Sequence, residues 1–301
     1  MVSFNDIIKQ ASSKKEVTVA VVCAEDLEVL SAVQMARSYE LANFILIGNE
    51  QKIDGIIAAH FPGLLESGGV VTLSADTQLQ AATKGVQAVS EGEASVLMKG
   101  HIETSLLLKE VLNKEYGLRT GSVLSHVALF EVPAIERSIF VTDAAMNIEP
   151  ELQQKAQIIN NAVAVAHGIG ISEPKVAPLA AVEVVNPAMQ ATVDAAALTQ
   201  MNRRGQIAGC IVDGPLALDN AISHEAAHHK KVGGDVAGQA DILLVPTIEA
   251  GNILYKSLMY FGNSQVGAVI AGAKAPIVLT SRADSGQSKL HSLALAICSI
   301  N

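Results

Sequence analysis

Pro276-Ile277-Val278-Leu279-Thr280-Ser281-Arg282-Ala283-Asp284-Ser285 is a short apolar run that stops abruptly at hydroxyls, a guanidinium and a carboxylate. A helix-like segment from Lys289 to Ile297 follows it. This order puts Arg282 between the carboxyl end of a strand and the amino end of a helix. In an α/β protein anions bind at such a place, because free backbone N–H groups and the helix dipole point there. The stretch therefore predicts an α/β fold and an anion, phosphate above all, beside Ser281 and Arg282.

Outward from it, short apolar runs alternate with helix-like segments along the chain. Val17 to Cys23, Phe44 to Ile47, Val70 to Leu73 and Ser95 to Met98 read as buried strands. Asp26 to Leu41, Gln78 to Ser90 and Ile102 to Asn113 read as helices with apolar faces. A second series holds strands at Ser138 to Val141, Val176 to Val182, Ile207 to Val212, Ile242 to Val245, Val266 to Ala271 and Ile277 to Thr280. Helices at Glu151 to His167, Ala188 to Thr199 and Gly251 to Phe261 lie among them. The βαβα order implies a largely parallel sheet with right-handed crossovers. No linker separates the series, so two closely joined α/β lobes are expected. Several strands end in polar residues: Lys99-Gly100-His101, Thr142-Asp143, Asp213-Gly214-Pro215 and Pro246-Thr247. Ligands of open α/β sheets bind at such carboxyl ends.

Composition narrows the class. Half of the 301 residues are apolar, yet aromatics make up 3% and Trp is absent, so Ala, Val, Ile and Leu must build the core. That suits parallel strands covered by close-packed helices. No apolar run reaches the ~18 residues of a spanning helix, and the start lacks the basic and apolar regions of a signal peptide. A soluble cytoplasmic chain with no membrane partner is expected. The net charge of −9, with no Lys/Arg block longer than two, argues against a nucleic-acid surface. It leaves room for a local positive pocket. Cys23, Cys210 and Cys298 are far apart, odd in number and set in apolar surroundings, which suits reduced core thiols.

His224-Glu225-Ala226-Ala227-His228 matches the zinc-peptidase pattern, with Glu249 as a distant third ligand. Its flanks are polar and basic (His229-Lys230-Lys231), which fits a solvated helix carrying a chance match, and no metal is expected. GxGxxG, GxxxxGK[ST] and GxSxG are absent. Lys99-Gly100-His101 reads equally as a substrate-contacting loop and as a strand-to-helix turn. Arg119 to Ser122 reads as an anion-holding loop or a surface loop. Asp284 reads as a reacting group or as the N-cap that an Asp before a helix commonly supplies.

Four blocks carry a resemblance: Val212-Asp213-Gly214-Pro215-Leu216-Ala217-Leu218-Asp219-Asn220-Ala221, Val236 to Asp241, Ile248-Glu249-Ala250-Gly251-Asn252-Ile253-Leu254-Tyr255-Lys256, and the Ser281-Arg282 segment. In this order and spacing the chain resembles the phosphate acetyl/butyryl transferases. The likeness extends back through Lys99-Gly100-His101 and Thr142-Asp143-Ala144-Ala145, and the short length and the 213–219 and 280–285 segments look more like the butyryl branch. The resemblance implies a two-lobed, parallel-sheet-rich fold like that of isocitrate and isopropylmalate dehydrogenases. Residues 1–126 and 275–301 would form one discontinuous α/β domain and 127–274 the second, with the active-site cleft between them.

It also implies a reaction: butanoyl-CoA and phosphate giving butanoyl phosphate and CoA, reversibly, in a homodimer or larger homo-oligomer. CoA would be a substrate, and no further cofactor is implied. Ser281 and Arg282 match the family's pair at the reacting thioester and phosphate. Asn252, with Gly251 and Lys256, matches a segment lining the cleft. Lys99, His101, Arg119, Ser122, Asp143 and Asp284 complete the expected substrate-binding set. In the acetyl branch an Asp lies seven residues after the Ser, where this chain has Ser288, and an Arg lies near the position of Tyr260. An acetyl-transferring enzyme is the runner-up. A metal- and NAD-dependent β-decarboxylating dehydrogenase would need clustered aspartates and a Tyr/Lys pair that the sequence does not assemble.

Overall fold

The structure, a computed structural model, describes residues 2–135, 137–279 and 284–300. The chain divides into two compact units, one of residues 3–122 and 267–301, the other of residues 1–2 and 123–266.

The discontinuous unit opens with α1 (Phe4–Ser13), β1 (Thr18–Val22), α2 (Leu27–Ser38), β2 (Asn43–Gly48), α3 (Glu50–His60), β3 (Val70–Ser74), α4 (Gln78–Ser90), β4 (Val96–Lys99) and α5 (Thr104–Val111). The contiguous unit holds β5 (Ser125–Val132), β6 (Arg137–Thr142), α6 (Leu152–Gly168), β7 (Lys175–Pro178), α7 (Gln190–Arg203), β8 (Ile211–Val212), α8 (Leu218–Ile222), α9 (His224–His229), β9 (Ile242–Leu244) and α10 (Ile248–Tyr260). The chain then returns to the first unit as β10 (Gln265–Ala271), β11 (Ile277–Val278) and α11 (Gly286–Cys298).

In the discontinuous unit the strands lie in the order β3-β2-β1-β4-β11-β10, parallel except for the antiparallel β10–β11 pair. The chain winds outward from β1 to β3 and returns to β4 on the other side of β1. The direction of winding therefore reverses between β1 and β4, and such a reversal opens a crevice at the carboxyl ends of the strands. Val19 to Val22 are fully buried, as a strand covered on both faces must be. Small residues bring α4 onto β1: a Cβ added at Gly85 would lie 2.3 Å from Val22 Cγ2. The Ala-rich, aromatic-poor composition has its use in this close approach. α11 packs on α1 and α2 and is buried nearly all round, so it is a core helix rather than a surface one.

In the contiguous unit the order is β5-β6-β9-β7-β8, parallel apart from the β5–β6 hairpin, which turns through Pro133–Ile135. Here the winding reverses between β7 and β9. Lys155 of α6 and Asp194 of α7 form a buried ion pair of 2.6 Å, and Gln190 Nε2 donates to the same carboxylate at 2.8 Å.

The expected mostly parallel α/β organisation holds, with differences in detail. α1, α3 and β5 have no counterpart among the predicted elements. β7 is shorter than the apolar run that announced it because that run continues past the strand into the following loop, whereas β8 lacks the amino-terminal part of its expected run, Ile207 to Cys210.

Candidate active site

The crest of the discontinuous unit is built where β1 and β4 end. Gly100 N–H donates to Val22 O at 2.8 Å and His101 N–H to Cys23 O at 2.8 Å, so the two strand ends stay laced beyond the sheet. Only glycine permits this: a Cβ at Gly100 would lie 2.1 Å from Cys23 O. Lys99, the last residue of β4, is 5% exposed, and its Nζ donates to Gly100 O at 3.4 Å. His101 is solvent-facing, with Nδ1 3.8 Å from Asp26 Oδ2. Asp26, Asn49 and Thr77 cap α2, α3 and α4 through their side chains. Around them lies a crevice of about 610 Å³ whose lining mixes Glu25, Asp26, Asp76 and His101 with Leu27 and Ile56.

Ser281 and Arg282, the expected reacting pair, lie outside the described residues. On either side of them the frame is clear. β11 runs parallel beside β4, with Val278 opposite Met98. α11 starts at Gly286, and its N-cap is Ser285, whose hydroxyl accepts from Ser288 N–H at 3.3 Å. This corrects the expectation that Asp284 caps the helix: the shorter seryl side chain one residue later fills that place. Asp284 instead receives Lys289 Nζ on its backbone carbonyl. Arg119 and Ser122 are exposed. Their loop is stitched down by Lys274 N–H donating to Leu118 O at 2.9 Å and by Thr120 Oγ1 donating to Gly272 O at 2.5 Å.

In the contiguous unit Asp143 is buried. Its carboxylate accepts from the N–H groups of His126 (3.1 Å), Ala145 (3.0 Å), Met146 (3.0 Å) and Asn147 (3.1 Å), and from Asn147 Nδ2 (2.6 Å). Five donors on one carboxylate make it the clasp of the 143–147 loop, whose substrate role the sequence had suggested. The peptide between Thr142 and Asp143 is cis. Gly251 lets α10 close on this loop, since a Cβ there would lie 2.7 Å from Asp143 O. Thr247 caps α10. Asn252, Lys256 and Tyr260 recur every fourth residue on its exposed side, so they share one stripe of the helix. Tyr255 is held edge-on by His126 and Phe130, with ring centroids 5.7 and 5.1 Å apart. At the end of β8 burial pushes the Asp213 carboxyl above the usual carboxylate range, with Arg203 opposing the shift. Gly234 makes room for that carboxylate: a Cβ would lie 2.2 Å from Asp213 Oδ2.

A second crevice opens between the ends of β7 and β9. It measures about 470 Å³ and is lined chiefly by apolar groups, among them Leu179, Met189, Leu218, Pro246 and Leu254. Sequence reasoning missed it, because apolar residues after a strand read as more core. The signal was the continuation of the apolar run past β7 into Leu179-Ala180-Ala181.

The three thiols are poor nucleophiles. Burial and Glu25 push Cys23 up to about 12, and burial pushes Cys210 and Cys298 up to about 11. His224-Glu225-Ala226-Ala227-His228 forms the short helix α9, capped by Ser223. Among the described residues no three His, Cys, Asp or Glu side chains converge to hold a metal ion. No helix among them is long and apolar enough to cross a membrane.

A family model described as "Phosphate acetyl/butaryl transferase" matches residues 54–297. A protein of Bacillus subtilis named "Probable phosphate butyryltransferase" is 57% identical over 97% of this chain and 96% of its own. The phosphate butyryltransferase of Clostridium acetobutylicum is 50% identical over 98% and 97%. Among solved structures, a branched-chain phosphotransacylase from Enterococcus faecalis superimposes with a TM-score of 0.85 at 39% identity, covering 94% of this chain and 99% of that one. The 4-hydroxythreonine-4-phosphate dehydrogenase of Klebsiella pneumoniae shares the fold alone, with a TM-score of 0.55 at 11% identity, covering 96% and 100%.

Proposed function

This chain belongs to the phosphate acetyl/butyryl transferase family, and from that premise we propose that it is a phosphate butyryltransferase, moving a short-chain acyl group reversibly between CoA and inorganic phosphate. One observation carries the reading: the likeness to relatives bearing that name, at 50% identity or more, runs over nearly the whole of both chains.

The chemistry asks for placement more than for a strong base. The second ionisation of a phosphate monoester falls at about 6 and that of inorganic phosphate lies close to neutrality, so a large share of the substrate is already a dianionic nucleophile. One of its oxygens attacks the thioester carbonyl carbon, forming a C–O bond and a tetrahedral oxyanion. Collapse breaks the C–S bond and releases the CoA thiolate, a leaving group with a pKa of about 8.5 by analogy with free Cys. The step is redox-neutral and balances without a further co-reactant. Arg282 is assigned to hold phosphate in a forked, charge-assisted contact. Ser281 and amide groups at the start of the following helix are assigned to the oxyanion. Lys99, His101, Arg119 and Ser122 of the one unit and Asn252 and Lys256 of the other are proposed substrate contacts. Asp143 acts by fixing the loop beside α10. The raised thiol values support direct transfer without an acyl-cysteine, since a neutral buried thiol attacks poorly. The proposed working form is a cytoplasmic homodimer or larger homo-oligomer.

Phosphate-dependent thiol release from acetyl-, propanoyl-, butanoyl-, branched and valeryl-CoA tests the reading. The largest kcat/KM is expected with butanoyl-CoA. A maximum at acetyl-CoA would make the enzyme a phosphate acetyltransferase, and no release with any thioester would overturn the transferase reading.

A further inference from the structure

We infer that the crevice between β7 and β9 binds the alkyl portion of the acyl group and sets the chain length the enzyme prefers. The inference rests on the transferase reading above and adds the subsite that reading lacks. Three observations converge on it. The crevice opens where the winding of the contiguous unit reverses, the place at which parallel α/β sheets take their ligands. Its walls are more uniformly apolar than those of the crevice beside Asp26 and His101, where three carboxylates and two amides share the lining with Leu27 and Ile56. An alkyl chain gains most from leaving water against walls with the fewest polar groups to desolvate.

The third observation is how the crevice is walled. Leu179 continues from β7, Val245 and Pro246 from β9, Met189 and Ala191 belong to the start of α7, and Ala250 and Leu254 to α10. Thr192 is fully buried and its hydroxyl is already committed: it donates to Asn186 O at 2.9 Å and accepts from Asn186 N–H at 2.9 Å. That hydroxyl is thus turned to the protein, and apolar groups supply most of the lining. A volume of about 470 Å³ lies within the range of small-molecule sites. It exceeds what four carbons fill, so the crevice also has room for part of the arm that carries the thioester.

Small residues on the two helical walls make the subsite adjustable. Ala250→Leu narrows it from α10 and Ala191→Leu from α7, and Leu is nearly as good a helix former as Ala. Leu254→Ala widens it. A hydrophobic pocket discriminates one methylene by roughly 10-fold or more. Each narrowing variant is therefore expected to lower the ratio of kcat/KM for butanoyl-CoA over acetyl-CoA at least about 10-fold. Leu254→Ala should raise the hexanoyl-to-butanoyl ratio by a similar factor. Both ratios come from the same thiol-release assay on the full chain, with circular dichroism to verify the fold. Two narrowing variants on separate helices guard against one that fails to fold. If wild-type enzyme is active and every chain length changes in parallel, the crevice does not hold the acyl group. If wild-type enzyme releases no thiol from any acyl-CoA, the transferase reading itself fails.

Discussion

At Arg282 the proposed step asks one guanidinium to hold a dianion against a neutral carbonyl. Arg282→Ala is expected to lower kcat/KM at least about 100-fold, some 2.7 kcal/mol of transition-state stabilisation, and to raise the KM for phosphate. Ser281→Ala should cost less, because it removes a single neutral donor. Steady-state kinetics with butanoyl-CoA measures both, and Arg282→Ala activity within about twofold of wild type would remove Arg282 from the site. Residues differ in how well the sequence announces them. An Arg after an apolar strand stands out, since it is costly there without an anion or a partner. Asp143 also stands out, but its buried carboxylate is occupied by four donors of its own loop and one from β5. Asp284 and Ser285 were confused because both are good caps, and which one caps depends on where the first turn closes.

Among the elements, α6 and α7 are joined by the pair Lys155–Asp194, whose side chains are 7% and 10% exposed. Lys155→Met leaves Asp194 charged and buried with only Gln190 beside it. The expected loss is about 3–5 kcal/mol, read from the midpoint of urea unfolding. Replacing both partners with apolar residues should recover most of that loss, and equal losses in the single and double variants would contradict a desolvated pair. Helices with capping residues and apolar faces, such as α4 and α6, were legible because their periodicity is local. β5 was not. It is buried on both faces over Ser125–Phe130, so it lacks the alternation that marks a half-buried strand. The apolar crevice was hidden for the same reason. A side chain that faces a ligand cavity and one that faces the core look alike until β7 and β9 are placed beside each other.

The whole chain was legible as α/β because strands and helices alternate, but no local signal says to which sheet a run belongs. Val266 to Ala271 is such a run: it forms most of β10, which enters the discontinuous unit at Gly267, far along the chain from β1 to β4. A chain ended after Val266 loses most of β10 and all of β11 and α11, and α1 and α2 lose the helix they pack on. Such a chain is expected to bind the dye ANS and to lose a cooperative thermal transition for that unit, and a transition unchanged from that of the full chain would refute this dependence. The same discontinuity sets an order of events during synthesis. At about 5–20 residues per second, roughly 10–35 s pass between the emergence of residue 122 and that of residue 298, the last of α11. Residues 3–122 spend that interval on the ribosome with the α11-facing sides of α1 and α2 uncovered. The unit begun second is complete first, and the segment that waits is the one a chaperone would have reason to hold.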